Sequence, residues 1–328
     1  MMRMTISNLI GKSPAFLETV RLITRIADTD ASVLIEGETG TGKEVAARAI
    51  HYAGSRRDRP FVPLNCGAIP DSLVENELFG HVGGAYTDAR EPQLGLVALA
   101  NGGTLFLDEI DRLCPKGQVA PLRFLQDESY RPLGAQRDEQ ADIRIIAATN
   151  SDLAALVEAN QFRQDLYYRL HVLSLPLPPL RERYGDPELL AVHFVRAASL
   201  RFNRPEKCLD PASIPLLNAY RWPGNIRELE NLIQREFLLR DGAMVSLQSL
   251  ERLRVDDRAS PAKLTDAAFR VAKADAIARF ERAYVAELLS RADGNISLAA
   301  RLSGKERSRL GKLAKKYGLQ HAEFARGP

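Results

Sequence analysis

Cysteine is scarce: Cys66, Cys114 and Cys208 are the only three, far apart and without the close spacing of a zinc site or a redox pair. An odd, scattered set excludes a disulfide framework and reads as reduced, structural residues. No apolar run approaches the roughly 20 residues of a membrane span, and Met1 to Ile10 lacks the charged, apolar and small-residue sections of a signal peptide. No membrane association is expected, and a cytoplasmic location is the default. Charge of one sign is lacking too: the formal net charge of +3 is too small to imply nucleic acid on its own. There is no internal repeat and no low-complexity tract.

What is present is a chain of 328 residues with ordinary apolar and charged fractions. At about 100–200 residues per domain it holds two or three domains. It is organised around Val33-Leu34-Ile35-Glu36-Gly37-Glu38-Thr39-Gly40-Thr41-Gly42-Lys43-Glu44, an apolar run that breaks into three glycines and a lysine and then turns helical. A buried strand feeding such a loop lets backbone N–H groups point inward, and the positive end of the following helix adds to them, which suits nucleotide phosphates. Lys43 reaches the outer phosphates, and Glu44 stands where most such loops place the Ser or Thr that holds magnesium. Thr104-Leu105-Phe106-Leu107-Asp108-Glu109 is an apolar strand ending in two carboxylates. In P-loop enzymes such a strand lies beside the phosphate loop, where one acid can hold magnesium and its neighbour polarise the attacking water, which gives Asp108 to the metal and Glu109 to the water.

Short apolar runs predict five strands, Val33–Glu36, Phe61–Asn65, Thr104–Asp108, Ile143–Ala148 and Leu173–Leu177, with a first helix over Pro14–Ala27. Runs apolar on both faces that alternate with helices make a parallel sheet covered on both sides, an α/β fold with ligands at the carboxyl ends of its strands. Helices are expected over Pro187–Phe202, Pro211–Tyr220 and Asn225–Arg240, the last introduced by Trp222-Pro223-Gly224. The expected organisation is an α/β nucleotide-binding subdomain (1–178), a small all-α lid (179–252), a linker (253–264), a C-terminal helix-turn-helix domain (265–322) and a tail (323–328).

Several blocks then occur in one order: Gly37 to Glu44, Asn65-Cys66, Glu77-Leu78-Phe79-Gly80, Gly102 to Glu109, Ala148-Thr149-Asn150, Phe162 to Leu170, and Trp222 to Leu229. Together, from about Leu9 to Leu250, they resemble the AAA+ domain of bacterial sigma-54-dependent activators, the enhancer-binding proteins, in which a glutamate at the place of Glu44 is usual. The resemblance implies ATP hydrolysis with magnesium in a homo-oligomeric ring, usually a hexamer, with each nucleotide between two subunits. It makes Arg163 and Arg169 arginine fingers supplied by a neighbour, although taken alone they read as helix-surface ion pairs. It makes Asn150 the sensor that places the water, Arg227 a second sensor reaching from the lid, and Asn65 the switch that holds or releases Glu109.

Between the second and third strands lies a glycine-rich insertion ending Gly84-Ala85-Tyr86-Thr87-Asp88-Ala89. A loop carrying one aromatic on a rigid scaffold is suited to presenting that ring to a partner. In the family this loop reads Gly-Ala-Phe-Thr-Gly-Ala and contacts sigma-54. Here Tyr86 keeps the ring, whereas Asp88 adds charge and restricts the backbone where glycine could adopt positive φ. That change either weakens the contact, alters the partner sequence it requires, or is tolerated because Asp also visits the left-handed region. A second insertion around Arg131-Pro132-Leu133-Gly134 resembles the companion loop.

The C-terminal stretch is basic, from Arg301 to Lys316. An apolar helix from Tyr284, a turn at Asp293-Gly294-Asn295, a short helix through Leu302 and a basic stretch Lys305–Tyr317 are the parts of a helix-turn-helix. The segment resembles the Fis-type domain that ends most sigma-54 activators, with Gly311 as a departure. Arg307, Ser308, Arg309 and Lys312 are the DNA-facing positions, Leu310 and Leu313 the core, and Lys315 and Lys316 either solvated charge or phosphate contacts.

The leading expectation is an ATP-driven activator that binds double-stranded upstream DNA and remodels sigma-54 RNA polymerase holoenzyme. The alternative is a DNA-binding regulator whose ATPase serves assembly only. Because the ATPase stretch begins at once, control is expected from expression level, from a heteromeric partner, or from an inhibitory or co-activating protein.

Overall fold

Ser13 and Pro14 set the start of the first helix, α1 (Pro14–Ala27): the Ser13 hydroxyl accepts from the Phe16 N–H, and proline occupies the first turn, where no intrahelical partner is needed. In this computed structural model the described residues are 9–85 and 91–250, then 281, 284, 285, 288–290, 292, 295–303 and 307–316. They fall in two units, Met1–Arg254 and Val255–Pro328.

In the first unit the strands β1 (Val33–Glu36), β2 (Phe61–Asn65), β3 (Thr104–Asp108), β4 (Arg144–Thr149) and β5 (Leu173–Pro176) form one parallel sheet in the order β2-β3-β4-β1-β5. Alternation across the pleat explains their continuous apolar runs. Leu34, Leu105, Leu107, Ile145 and Ala147 enter one core, while Val33, Ile35, Phe106, Ile146 and Ala148 enter the other. The predicted strand 143–148 is displaced by one residue. Arg144 opens it because its buried guanidinium donates to the Ile26 carbonyl at 2.7 Å, capping the C-terminal end of α1, where carbonyls lack partners. The fifth strand stops at Pro176, although the Leu177 N–H still donates to the Glu36 carbonyl.

Helix α2 (Lys43–Ala53) follows the glycine loop. Two short antiparallel pairs were not expected, Gly80–His81 with Gln93–Leu94 and Ser129–Tyr130 with Glu139–Gln140. They form the bases of the two insertions. The buried His81 ring hydrogen-bonds to Asn76 Oδ1 at 2.8 Å and to the Glu91 carbonyl at 3.1 Å, and a bridge from His81 to Leu133 ties one base to the other.

The lid contains α3 (Asp186–Phe202), α4 (Ile214–Ala219) and α5 (Asn225–Leu239). The predicted helix over 211–220 is divided, its first turn being the 3-10 segment Pro211–Ser213. Trp222, fully buried, donates from Nε1 to the Leu217 carbonyl, and the Glu228 carboxylate accepts from the Tyr220 hydroxyl and the Gly224 N–H. The Trp-Pro-Gly turn is thus fastened before α5 begins. An unexpected parallel pair, Cys208–Leu209 with Met244–Val245, closes the far end. All three cysteines are free. Burial pushes the Cys66 thiol up to about 12, which fits an inert structural residue. Cys208 is exposed, so a structural role does not extend to it.

In the second unit α6 (Ile296–Ser303) and α7 (Arg307–Lys316) pack Ala299, Ala300, Leu310 and Ala314 against Val285, Leu288 and Leu289. Asn295 Oδ1 caps α6 by accepting from the Ser297 and Leu298 N–H groups. Gly311 lies within α7, where a Cβ would stand 3.6 Å from Ile296 Cδ1. The linker 253–264 and the tail lie outside the described residues, as does the Leu313 side chain. Among the described residues no helix is long and apolar enough to cross a membrane.

A buried polar knot fastens the lid to the start of the chain. Asp186 accepts from the Lys12 and Ser13 N–H groups, the Ser13 hydroxyl and Arg183 Nε, the last at 2.9 Å. Arg183 also donates to the Ile10 carbonyl and lies 4.0 Å from the centre of the Phe16 ring. Burial pushes the Asp186 carboxyl up, but Lys12, Arg183 and Ser13 together hold it below its ordinary value. Asp186→Asn removes the charge opposite a buried guanidinium, and the expected loss is about 3 kcal/mol in urea unfolding followed by fluorescence of Trp222, the single tryptophan. The stabilisation from Asp186 is complete above the ordinary carboxylate pKa and disappears as pH falls through the lowered folded value, so the wild-type advantage over Asp186→Asn should vanish in acid.

Candidate functional site

The carboxyl end of β1 opens into the loop Gly37–Gly42, and the chain order strand, loop, helix is that expected from the motif. Gly37 N–H donates to the Thr149 carbonyl, and Thr41 Oγ1 donates to the Glu38 carbonyl at 2.8 Å. Gly40 and Gly42 have φ of 80° and 98°, the left-handed region that favours glycine. Lys43 Nζ is folded over the loop and donates to the carbonyls of Gly37 at 2.8 Å and Glu38 at 3.2 Å. Burial pushes its ammonium down, against the pull of Asp108, Asp111 and Glu109. Glu44, in contrast, runs along the α2 surface and pairs with Arg48 at 2.7 Å.

Beside the loop, β3 ends at Asp108. Burial pushes its carboxyl up, opposed by the Glu109 N–H and by Lys43. Glu109 has φ of 53°, a conformation that a non-glycine residue holds only where its surroundings over-determine it. Asn65 lies opposite Asp108 in the sheet register, and its Oδ1 accepts from the Gly67 N–H. A Cβ on Gly67 would fall 2.6 Å from Glu109 Oε2 and 3.3 Å from Asn65 Oδ1. Gly67, which sequence reasoning passed over, is therefore what lets Asn65 and Glu109 approach.

From β4, Asn150 Nδ2 donates to Thr39 Oγ1 at 2.9 Å, placing this residue on the rim of the loop. Its neighbours Thr149 and Ser151 both donate to the carboxylate of Asp111, a third acid near Lys43 that was also missed. From the lid, Arg227 enters in the first turn of α5. The loop from Thr39 to Glu44, Asp108, Glu109 and Arg227 border a cavity of about 440 Å³, whereas Asn65, Asp111 and Asn150 stand off its wall. One end is polar, with Thr39 to Glu44, Asp108, Glu109 and Arg227. The remaining wall is largely apolar, with Leu9, Ile10, Phe16, Leu177, Leu190 and Phe194, and also carries Thr19, Arg183, His193 and Glu230. A polar end rich in N–H groups beside an apolar slot fits a nucleotide, phosphates at one end and base at the other.

No group of three or more His, Cys, Asp or Glu able to hold a metal occurs among the described residues. Magnesium needs no such cage, because it keeps waters and takes phosphate oxygens with one or two carboxylates, and the half-buried Asp108 at the end of β3 fits that use.

Arg163 and Arg169 are not on the cavity wall. Arg163 is held by Asp165 through two hydrogen bonds of 3.0 and 2.7 Å on the surface, and Arg169 Nη1 donates to the Leu125 carbonyl at 3.3 Å. In the glycine-rich insertion Gly84 has φ of 81° and the Ala85 N–H donates to the Val82 carbonyl, while Tyr86, Thr87, Asp88 and Ala89 lie outside the described residues. On α7, Arg307, Ser308 and Lys312 are exposed, and the Arg309 side chain lies outside the described residues.

A family profile described as the sigma-54 interaction domain matches residues 9–176, and one described as the AAA+ ATPase lid domain matches residues 181–266. The chain is 44% identical over 305 residues to the hydrogenase transcriptional regulatory protein HoxA of Bradyrhizobium diazoefficiens, covering 92% of this chain and 62% of that protein. It is 42% identical over 318 residues to the regulatory protein AtoC of Escherichia coli, covering 96% of this chain and 69% of that one. Among solved structures, NtrX from Brucella abortus in complex with ATP superposes with a TM-score of 0.69 at 32% identity, over 94% of this chain and 69% of NtrX. With the nucleotide core and the lid both matched, the chain belongs to the sigma-54 interaction domain family of AAA+ transcriptional regulators.

Proposed function

We propose that this chain hydrolyses ATP in a ring, hexameric or heteromeric, and uses the turnover to remodel sigma-54 RNA polymerase holoenzyme at promoters, as a cytoplasmic activator anchored on double-stranded upstream DNA. The observation that carries the reading is a phosphate loop whose Lys43 faces Asp108 and Glu109 while both candidate finger arginines stand outside the cavity. A site of this kind is completed from outside.

In this reading the loop amides and Lys43 bind the phosphates, and Asp108 would hold magnesium, which would supply Lewis-acid neutralisation of phosphate charge. Glu109 polarises the attacking water, Asn150 orients it, and Asn65 holds Glu109 back until the γ-phosphate arrives. Arg227 contacts the nucleotide from the lid. Arg163 and Arg169 of the neighbouring copy stabilise charge that develops on the transferred phosphoryl group. The loop from Gly84 to Ala89 presents Tyr86 to sigma-54. In the second unit the burial of Leu310 and Ala314 leaves Arg307, Ser308 and Lys312 on the outer side of α7, which supports placing that helix, with Arg309, in the major groove.

Lys43→Ala should abolish ATP binding, whereas Glu109→Gln should bind ATP normally and lose about 10²–10⁴ in phosphate release, the worth of a general base. Equal loss of binding in both variants would contradict these roles. In a reconstituted transcription assay the native chain with ATP should open a sigma-54 promoter. Opening that appears only with Asp88→Gly would favour the second reading, an ATPase serving assembly alone, which the aspartate in the output loop motivates.

A further inference from the structure

The outer turn of the phosphate loop is bound to the lid residue by residue. Glu38 receives a two-pronged hydrogen bond from the Arg181 guanidinium, at 2.8 and 2.7 Å. Asn225, fully buried at the head of α5, donates from Nδ2 to Glu38 Oε2 and to the Thr39 carbonyl, each at 3.1 Å, while its Oδ1 accepts from the Leu180 N–H. The Ile226 N–H donates to the Gly40 carbonyl at 2.9 Å. A Cβ on Gly40 would stand 2.3 Å from the Gly224 carbonyl oxygen, so glycine is required there for contact with the lid as well as for its positive φ.

We propose that Glu38, Arg181 and Asn225 are positioning residues for hydrolysis: they latch the phosphate loop to the lid, so that the loop amides and Arg227 reach the phosphates as one preassembled unit. This rests on the reading of the cavity as the ATP site. A trans peptide holds its C=O and N–H antiparallel. Turning the Thr39 carbonyl toward the lid therefore turns the Gly40 N–H away from it, and the lid sets how the loop presents its donors. Arg227 follows Ile226 directly, so a lid that swings away would withdraw the arginine and release the loop in the same motion. Asn225 holds φ of 52°, a left-handed conformation, to make these contacts, which supports a functional use. The hydrogen bonds from Arg181 and Asn225 also hold the Glu38 carboxyl below its ordinary value.

Arg181 and Glu38 are 41% and 43% exposed, and an ion pair that open to water contributes little to folding. Arg181→Gln should therefore fold normally, and its effect can be read in function. The full chain would be compared with Arg181→Gln, Glu38→Gln, the double variant and Arg181→Lys. One measurement is amide hydrogen exchange in the nucleotide-free protein, over residues 37–43 and 224–228. The other is steady-state ATP hydrolysis. Exchange is expected to rise in both segments together in each Gln variant. Turnover, kcat, should fall about tenfold with little change in KM, the double variant should lose no more than either single one, and Lys should recover part of the loss. Unchanged exchange in the two segments overturns the latch whatever happens to turnover, and so do losses that add in the double variant. Should the wild-type chain hydrolyse no ATP, the proposed function fails, while the exchange result still decides whether the latch exists.

Discussion

The approach of Gly40 to the opening turn of α5 is the contact on which the rest of the site depends. It needs a residue without a side chain, in a left-handed conformation, hydrogen-bonded through its carbonyl to the Ile226 N–H. On one side the loop continues β1, whose neighbours β4 and β5 fix it in the sheet. On the other it is held by the lid. The cavity wall formed by α1 and the lid is moored a second time, far in sequence, where Asp186 gathers Lys12, Ser13 and Arg183. The polar and the apolar ends of the cavity are thus each set by a buried asparagine or aspartate that joins core to lid. Neither group would be stable there without its full set of partners.

A continuous piece of chain leads from Asn65, beside the acids, to the glycine-rich insertion. Asn65 and Asp108 are neighbours in the sheet, and Gly67 lies between the side chains of Asn65 and Glu109 with no room for a Cβ. The chain then runs through the helix Val74–Phe79 to Gly80 and His81, where the imidazole clamps both sides of the insertion and the bridge to Leu133 adds the companion loop. In the proposed function this is the physical route by which a change at the γ-phosphate reaches Tyr86. It is a chain of packed, hydrogen-bonded elements, and a two-position switch at Asn65 is what it would have to transmit.

Much of this was legible in the sequence where the signal is local. Val33–Glu36 and Thr104–Asp108 read as buried strands because both faces are apolar, and Ser13-Pro14 marks the helix start to the residue. Pairings across the chain were not legible. Glu38 and Arg181 are 143 positions apart and Glu38 and Asn225 are 187 apart, and nothing in either neighbourhood announces the partner. Arg144 falls inside the strand expected over Ile143–Ala148 and turns out to open the strand and cap a helix. The two-residue strands under the insertions are too short for any alternation to show. Asn225 looks like a helix-opening residue, which it is, but its buried amide also serves the phosphate loop.

In the proposed function one chain binds ATP and the next one completes the site. Mixing two inactive variants tests this most directly: Lys43→Ala, which keeps its finger arginines, and Arg163→Ala, which keeps its ATP site. If the arginine acts on the neighbour's nucleotide, each variant alone is inactive and the mixture recovers a substantial fraction of wild-type phosphate release. A mixture as inactive as its components, with assembly shown to be intact, would contradict it.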